Sequence, residues 1–267
     1  MNRQNSPYPQ ARKRFGQNFL HDDSVIDAIV TAIGPQADQH LVEIGPGRGA
    51  LTVPLLASGA RLDVIELDRD LAPLLAAQFQ SVNNLTLHTA DALQFNYLPL
   101  ADDGKKLRVI GNLPYNITTP LLFHLLEQSA VIDDMCFMLQ KEVVERICAA
   151  PGSKQYGRLT IMLQYQCAAE SLFDVPPEAF DPAPKVNSAI IYLQPRREPL
   201  GGQVDSVQLN KLVTQAFSQR RKTIANTLKK LVTVEQLANV GIVPEQRPET
   251  VTIEQFVQLT REVSAVE

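Results

Sequence analysis

Cysteine is scarce in this chain, and its three copies, Cys136, Cys148 and Cys167, are odd in number and form no Cys-x-x-Cys pair. Neither a disulfide framework nor a cysteine-ligated zinc site is suggested. The four histidines, His21, His40, His88 and His124, stand at no ligand-like spacing, so no structural metal is expected. Also missing is any apolar run near the roughly 18 residues of a membrane span, or the apolar N-terminal segment of a signal peptide. The expectation is a cytoplasmic protein with no membrane partner. The 267 residues, 45% hydrophobic and 20% charged, suffice for one large domain plus a small one.

Acidic residues are absent from two stretches. Residues 1–20 carry Arg3, Arg12, Lys13 and Arg14, a net +4, and residues 211–230 carry Lys211, Arg220, Arg221, Lys222, Lys229 and Lys230, a net +6. The whole chain is −4, so the remaining 227 residues sum to −14. Two basic segments on an acidic body describe an electrostatic footprint for a polyanion. The competing readings are a solvated face for either segment and an organelle transit peptide for the first.

The order of elements is that of an α/β nucleotide-binding unit. Val25, Ile26, Ile29, Val30 and Ile33 fall at helical spacing, with Asp22, Asp23 and Ser24 as possible caps. A strand over His40–Ile44 then runs into Gly45-Pro46-Gly47-Arg48-Gly49 and a helix to about Ser58, where glycine lets the backbone approach a ligand. A second strand, Arg61–Glu66, ends in an acid 21 positions after Gly45, the place of a ribose-binding carboxylate. Asp68 and Asp70 read as caps for a helix over Leu71–Phe79. A third strand, Leu85–Thr89, delivers Asp91 to the same crevice, where it suits an adenine amine.

After the apolar run Leu107–Ile110, a break at Gly111 leads into Asn112-Leu113-Pro114-Tyr115. The Asn112 side-chain carbonyl and the Leu113 backbone carbonyl, its turn fixed by Pro114, are two acceptors suited to one planar amino group. Tyr115 adds a face on which a base stacks. An aryl amine is a poor nucleophile because its lone pair is delocalised. Acceptors that draw both N–H groups out of the ring plane localise that pair and aim it at an electrophile about 3 to 3.5 Å away. A loose pattern of this kind arises by chance in about one chain in five of this length, so its weight depends on the strands and turns before it. Gly45-x-Gly47-x-x-Ala50 formally fits a dinucleotide site, which keeps an NAD enzyme in contention. Against it, Pro46 has no N–H for a pyrophosphate, and Glu43, Glu66 and Asp91 make the crevice acidic. Such a pocket suits S-adenosylmethionine, a cationic nucleoside without phosphate whose methyl group is the electrophile that the clamp needs.

These stretches, with Arg12–Leu20, Val42–Gly47, Val64–Asp68, Gly111–Ile117, Phe180–Val186 and Gln219–Thr223 in order from about residue 11 to 260, resemble the KsgA/RsmA family of small-subunit ribosomal RNA adenine dimethyltransferases. The resemblance removes the transit-peptide reading. It implies a Rossmann-like S-adenosylmethionine-dependent methyltransferase sheet with a small C-terminal all-helical domain. It also implies transfer of four methyl groups to N6 of two adjacent adenosines, in a hairpin loop near the 3′ end of 16S rRNA, within the small (30S) subunit or its precursor. By position, Asn18, Leu20, Gly45, Glu66, Asp91 and Asn112 correspond to the family's cofactor contacts, and Asn112, Leu113, Pro114 and Tyr115 to its adenine-amine motif. Phe180 is a candidate for a second aromatic wall; its proline-rich surroundings alone favour a core plug over a stacking residue.

Further on, Thr118 and Thr119 are expected to cap a helix with Pro120 in its first turn and Leu121, Leu122, Leu125 and Leu126 on its buried face. Met135–Leu139, Tyr165–Ser171 and Val186–Leu193 read as strands, although Leu159–Tyr165 also fits a helix. Pro199, Gly201 and Gly202 mark a boundary. The expected division is a basic arm over 1–20, a methyltransferase domain over 21–198 and a helical RNA-binding domain over 204–267, in a monomer. Within the last, Lys222, Asn226 and Lys229 are spaced to share one helical face as a phosphate-contacting surface.

Overall fold

The computed structural model describes residue 12 and residues 16–102, 104–219 and 221–264. The chain forms two compact units, Met1–Lys141 with Ser171–Gln194, and Glu142–Glu170 with Pro195–Glu267.

In the first unit, β1 (Phe19–Leu20) precedes α1 (Asp23–Ile33), β2 (His40–Ile44), α2 (Thr52–Ala57), β3 (Arg61–Glu66), α3 (Ala72–Gln78), β4 (Leu85–Thr89), β5 (Leu107–Asn112), α4 (Thr118–Glu127) and β6 (Ile132–Gln140). After α5 (Lys141–Ile147), α6 (Arg158–Gln166) and β7 (Cys167–Val175), the chain adds β8 (Phe180–Asp181) and β9 (Ser188–Pro195). The sheet order is β4-β3-β2-β5-β6-β9-β7; the first five strands are parallel and β9 runs antiparallel to β6. Parallel strands covered on both faces read as continuous apolar runs, and every residue of β2 is buried. From β2 the chain winds outward to β3 and β4, then returns to its other side for β5 and β6. The order therefore reverses between β2 and β5, and ligands bind beyond the strand ends at such a reversal.

Local signals set most of these elements. Asp22 caps α1 by accepting the Ser24 and Val25 N–H groups, and Gly34 ends it in the left-handed conformation. The buried face of α4 is Leu121, Leu122, Leu125 and Leu126, as its spacing predicts, but Thr118 is not its cap. Thr118 lies inside the helix and its hydroxyl donates to the Pro114 carbonyl. Asp68 and Asp70 do not supply the N-cap of α3 either, which is Leu71. Gly111 is no break: β5 runs through it to Asn112.

In the second unit, α6 settles the ambiguity over 159–165 as helix, so β7 begins at Cys167 instead of Tyr165. The remaining helices are α7 (Ser206–Ala216), α8 (Ile224–Leu228), α9 (Val234–Asn239) and α10 (Ile253–Ser264). Residues 142–170 join this unit, which differs from the expected boundaries at 198 and 204. The reason is packing: Tyr156 donates its hydroxyl to the Val251 carbonyl, and its ring lies 6.3 Å from that of Phe217, itself 6.1 Å from Phe256. The shared helical face for Lys222, Asn226 and Lys229 is also corrected. Thr223 starts a helix of only five residues, leaving Lys222 before it and Lys229 at its end. Among the described residues no helix is long and apolar enough to cross a membrane.

Candidate active site

A cavity of about 330 Å³ in the first unit lies at the carboxyl ends of β2, β3 and β5, the position the strand reversal dictates. Its lining includes all of Asn18, Leu20, Gly45, Glu66, Asp91 and Asn112, together with Leu113, Pro114 and Tyr115. The structure thus gathers every sequence-predicted site residue except Phe180. That side chain is 4% exposed and belongs to the hydrophobic core beside Leu20, Val175 and Ala179. The expected second aromatic wall is here a core plug. As the antiparallel partner of Leu20, it backs the strand that carries Phe19 and Leu20 to the cavity.

The turn after β2 is built for close approach. Gly45 donates its N–H to the Ile65 carbonyl, tying the turn to β3. At Gly47 (φ 59°) a Cβ would stand 3.0 Å from the Phe19 ring, so a side chain here is strained by its backbone conformation and would push that ring aside. Arg48 lies 4.2 Å over that ring and its guanidinium is 3.9 Å from Asp181.

The acids are held in place. Glu66 is buried; its Oε1 accepts the Asp68 N–H at 2.7 Å, and burial raises its carboxyl above the usual range despite backbone donors from Asp68, Gly47 and Leu67. Glu43, also in the lining, is more deeply buried and accepts the Thr52 hydroxyl at 2.6 Å. Desolvation pushes it up to about 7, with the Thr52 bond opposing and Glu66 adding to the rise. Asp91 caps its own turn by accepting the Leu93 N–H at 3.0 Å. Asp68 accepts the Gln17 amide at 3.0 Å and pairs with Arg12, which also bonds Asp70. Of the four basic residues expected in the arm, Arg12 is thus engaged with the body, and Arg3, Lys13 and Arg14 lie outside the described residues.

Asn112 is oriented by chemistry that allows one assignment. Its amide faces the Asn18 backbone carbonyl at 3.0 Å, and a carbonyl only accepts, so Nδ2 donates there and Oδ1 is the acceptor that remains. Leu113 donates its N–H to the Met138 carbonyl at 3.2 Å, while the Pro114 carbonyl takes the Ile117 N–H and the Thr118 hydroxyl. The Tyr115 hydroxyl pairs with Ser188 Oγ at 2.8 Å, pinning the ring from β9. Sequence reasoning missed Ser188, Thr52 and Gln17. Ser188 heads an apolar strand just past Val186, and Gln17 adjoins Asn18, so both had a positional signal; Thr52, as a small polar residue opening a helix, had none. Ser188→Ala should leave the ring in place but unpinned, which at ~0.5–1.5 kcal/mol for one hydrogen bond predicts turnover lowered about 2- to 10-fold with cofactor affinity unchanged. Steady-state kinetics beside calorimetric cofactor binding would show it.

A doubly wound sheet whose strand ends present a glycine turn and three acids to one cavity, lined also by Asn112, Leu113, Pro114 and Tyr115, is the build of a methyltransferase that uses a nucleoside cofactor. The sequence matches the ribosomal RNA adenine dimethylase family over residues 9–264, and the chain belongs to that family. It is 55% identical to the Pseudomonas aeruginosa ribosomal RNA small subunit methyltransferase A, over 96% of this chain and 95% of that protein. The protein of the same name from Nitrosococcus oceani is 54% identical over 94% and 96%. Among solved structures, a Plasmodium falciparum dimethyladenosine transferase superposes with TM-score 0.80 at 25% identity, covering 92% of this chain and 98% of that one. The 23S rRNA methyltransferase ErmE gives 0.73 at 26%, covering 92% and 100%. Membership makes S-adenosylmethionine the methyl donor and removes the NAD reading, and the acid-lined cavity fits a cationic cofactor.

Proposed function

We propose that this chain dimethylates N6 of two adjacent adenosines in the hairpin loop near the 3′ end of 16S rRNA, acting on the small subunit or its precursor. The observation that carries the reaction is the fixed orientation of Asn112, whose Oδ1 stands at the cavity as an acceptor for an amine proton. The small-subunit substrate is supported by 55% identity to a small-subunit enzyme against 26% to the large-subunit ErmE.

In this reading Asn18, Leu20, Gly45, Glu66 and Asp91 hold the cofactor, which supplies a sulfonium-bound methyl group. Glu66 accepts from the ribose hydroxyls and Asp91 from the adenine amine. Asn112 Oδ1 and the Leu113 carbonyl accept the two N6 protons of the target base, and Tyr115 stacks on its ring. Drawing those protons out of plane localises the lone pair on N6. As N6 bonds the methyl carbon, the carbon–sulfur bond breaks and one N6 proton passes to water, so no strong base is required. A monomethylated amine has one N–H left. Asn112 Oδ1 keeps it while the methyl group turns toward Leu113, and the second transfer repeats the first.

RNA binding is assigned to the helical residues, with Arg221, Lys222, Lys229 and Lys230 as its cations; Arg220 lies outside the described residues. Reversing charge at Arg221 and Lys222 should weaken particle binding and flatten its salt dependence by roughly one unit of slope for each phosphate that is no longer neutralised. Unchanged slope would move the footprint elsewhere. The reaction itself is tested by methyl incorporation from labelled S-adenosylmethionine into small subunits from cells lacking this modification, followed by digestion to nucleosides. Dimethyladenosine in 16S rRNA is the expected product; label confined to large-subunit RNA would overturn the assignment.

A further inference from the structure

Two lysines distant in the sequence share one small cavity of the helical unit. It holds about 140 Å³, and its lining includes Lys211 and Leu212 from α7, Lys230 and Leu231 from the turn after α8, and Thr260 from α10. Backbone contacts fix both positions. The Leu228 carbonyl accepts the Leu231 N–H at 2.7 Å and the Val232 N–H at 2.9 Å, which closes the turn that carries Lys230. Gln215 of α7 donates its amide to the Thr227 carbonyl of α8 at 2.9 Å, which holds α7, and with it Lys211, against that turn. Both lysines are exposed, and among the described residues neither is paired with an acid. Asp205 is taken as the cap of α7, and Glu262 of α10 accepts the Asn239 amide. Two ammonium groups at one cavity repel each other, and its lining holds no carboxylate to offset this.

We propose that this cavity seats one backbone phosphate of the RNA, with Lys211 and Lys230 as its paired cations. The inference rests on the reading that the helical unit meets RNA; it brings Lys211 into that surface and joins it with Lys230 at a single point of contact. A phosphodiester has two non-bridging oxygens, one for each ammonium, and its negative charge relieves the repulsion between them. Size points the same way. The volume is less than half the 330 Å³ of the cofactor cavity and lies below the range of small-molecule sites, so it admits a phosphate group but not a nucleoside. Such a contact carries no base information. It fixes the register of the helical unit along the RNA backbone.

Counterions are displaced for each phosphate neutralised, so the salt dependence of binding counts the phosphates that the two lysines hold. The measurement is binding of the full chain to small subunits from cells lacking the modification, at about 50 to 200 mM salt. Lys211→Met or Lys230→Met alone should lower the slope by less than about half a unit, because the other ammonium still neutralises the phosphate. The double variant should lower it by about one unit and weaken binding about 10- to 100-fold at the low-salt end. Both positions are exposed, so each variant should unfold close to the parent temperature, and Lys→Gln at both positions repeats the test with polar side chains. Single variants that each remove about one unit, with about two lost in the double, would mean two separate phosphates and overturn the proposal. A loss carried by one lysine alone would overturn it as well. If neither lysine matters while charge reversal at Arg221 and Lys222 still flattens the slope, the shared seat is overturned and the helical unit remains the RNA-binding part. If none of these variants changes the slope, that reading falls with it.

Discussion

Asn112→Ala should lower the rate of methyl transfer by about 10²- to 10³-fold, the range seen when one preorganised polar group that stabilises a transition state is removed. The substitution deletes two functions at once. Without Oδ1, the Leu113 carbonyl holds the amine alone, so the N6 lone pair stays delocalised. Without Nδ2, the Asn18 carbonyl, 3.0 Å away, has no donor, and Asn18 is in the stretch that walls the cofactor. The second effect is worth ~1 kcal/mol, a donor affinity about five times weaker. Asn112→Asp separates the two: its carboxylate still accepts but cannot donate to Asn18, so cofactor affinity should fall while more transfer survives than in Asn112→Ala. Single-turnover transfer at saturating S-adenosylmethionine and calorimetric affinity read the two effects independently. An alanine variant within about threefold of normal transfer would mean that the amine is held by something else.

Much of this site was legible because its residues occur at ends of elements rich in apolar residues, interrupted by Glu43 in β2, Asp63 in β3 and Thr86 and His88 in β4. His40–Ile44, Arg61–Glu66 and Leu85–Thr89 announce themselves as strands, and the residues just past each one reach the crevice by topology alone. That is why Gly45, Glu66 and Asp91 could be named before any geometry. Pairings between distant stretches were not legible. Tyr115 and Ser188 are 73 residues apart and Tyr156 and Val251 are 95 apart, and no local pattern joins either pair. The second pairing is part of what draws residues 142–170 into the helical unit. The basic stretch failed differently. Its spacing fits a helix, but α8 runs only from Ile224 to Leu228, with Thr223 before it in an extended conformation, so Lys222 and Lys229 flank the helix instead of sharing a face on it. Phe180 went the way its proline-rich surroundings favour, since burial beside Leu20 satisfies an aromatic ring without a ligand.

Gly111 shows the same limit at the level of one atom, and it carries the largest expected effect on stability. In the sequence it reads as punctuation; in the fold it is a strand residue, and its backbone needs no unusual conformation. What requires glycine is space. A Cβ there would lie 2.5 Å from the Ile44 carbonyl oxygen and 3.2 Å from the Leu113 side chain. The first of these is backbone at the end of β2, and it cannot retreat without parting the β2–β5 ladder that pairs His40 through Glu43 with Leu107 through Ile110. Gly111→Ala should therefore cost about 3 kcal/mol, at the upper end for overpacking, which for a chain of this size lowers Tm by roughly 6–12 °C. Because Ile44 leads into the glycine turn and Gly111 into Asn112, the same displacement separates cofactor from clamp, and transfer should fall even at temperatures where the variant is folded. Thermal unfolding measured beside transfer at about 20 °C tests both consequences. A Tm within about 2 °C of the parent would mean that β2 and β5 can separate freely at their carboxyl ends, and the tight union of cofactor turn and amine clamp would lose its physical basis.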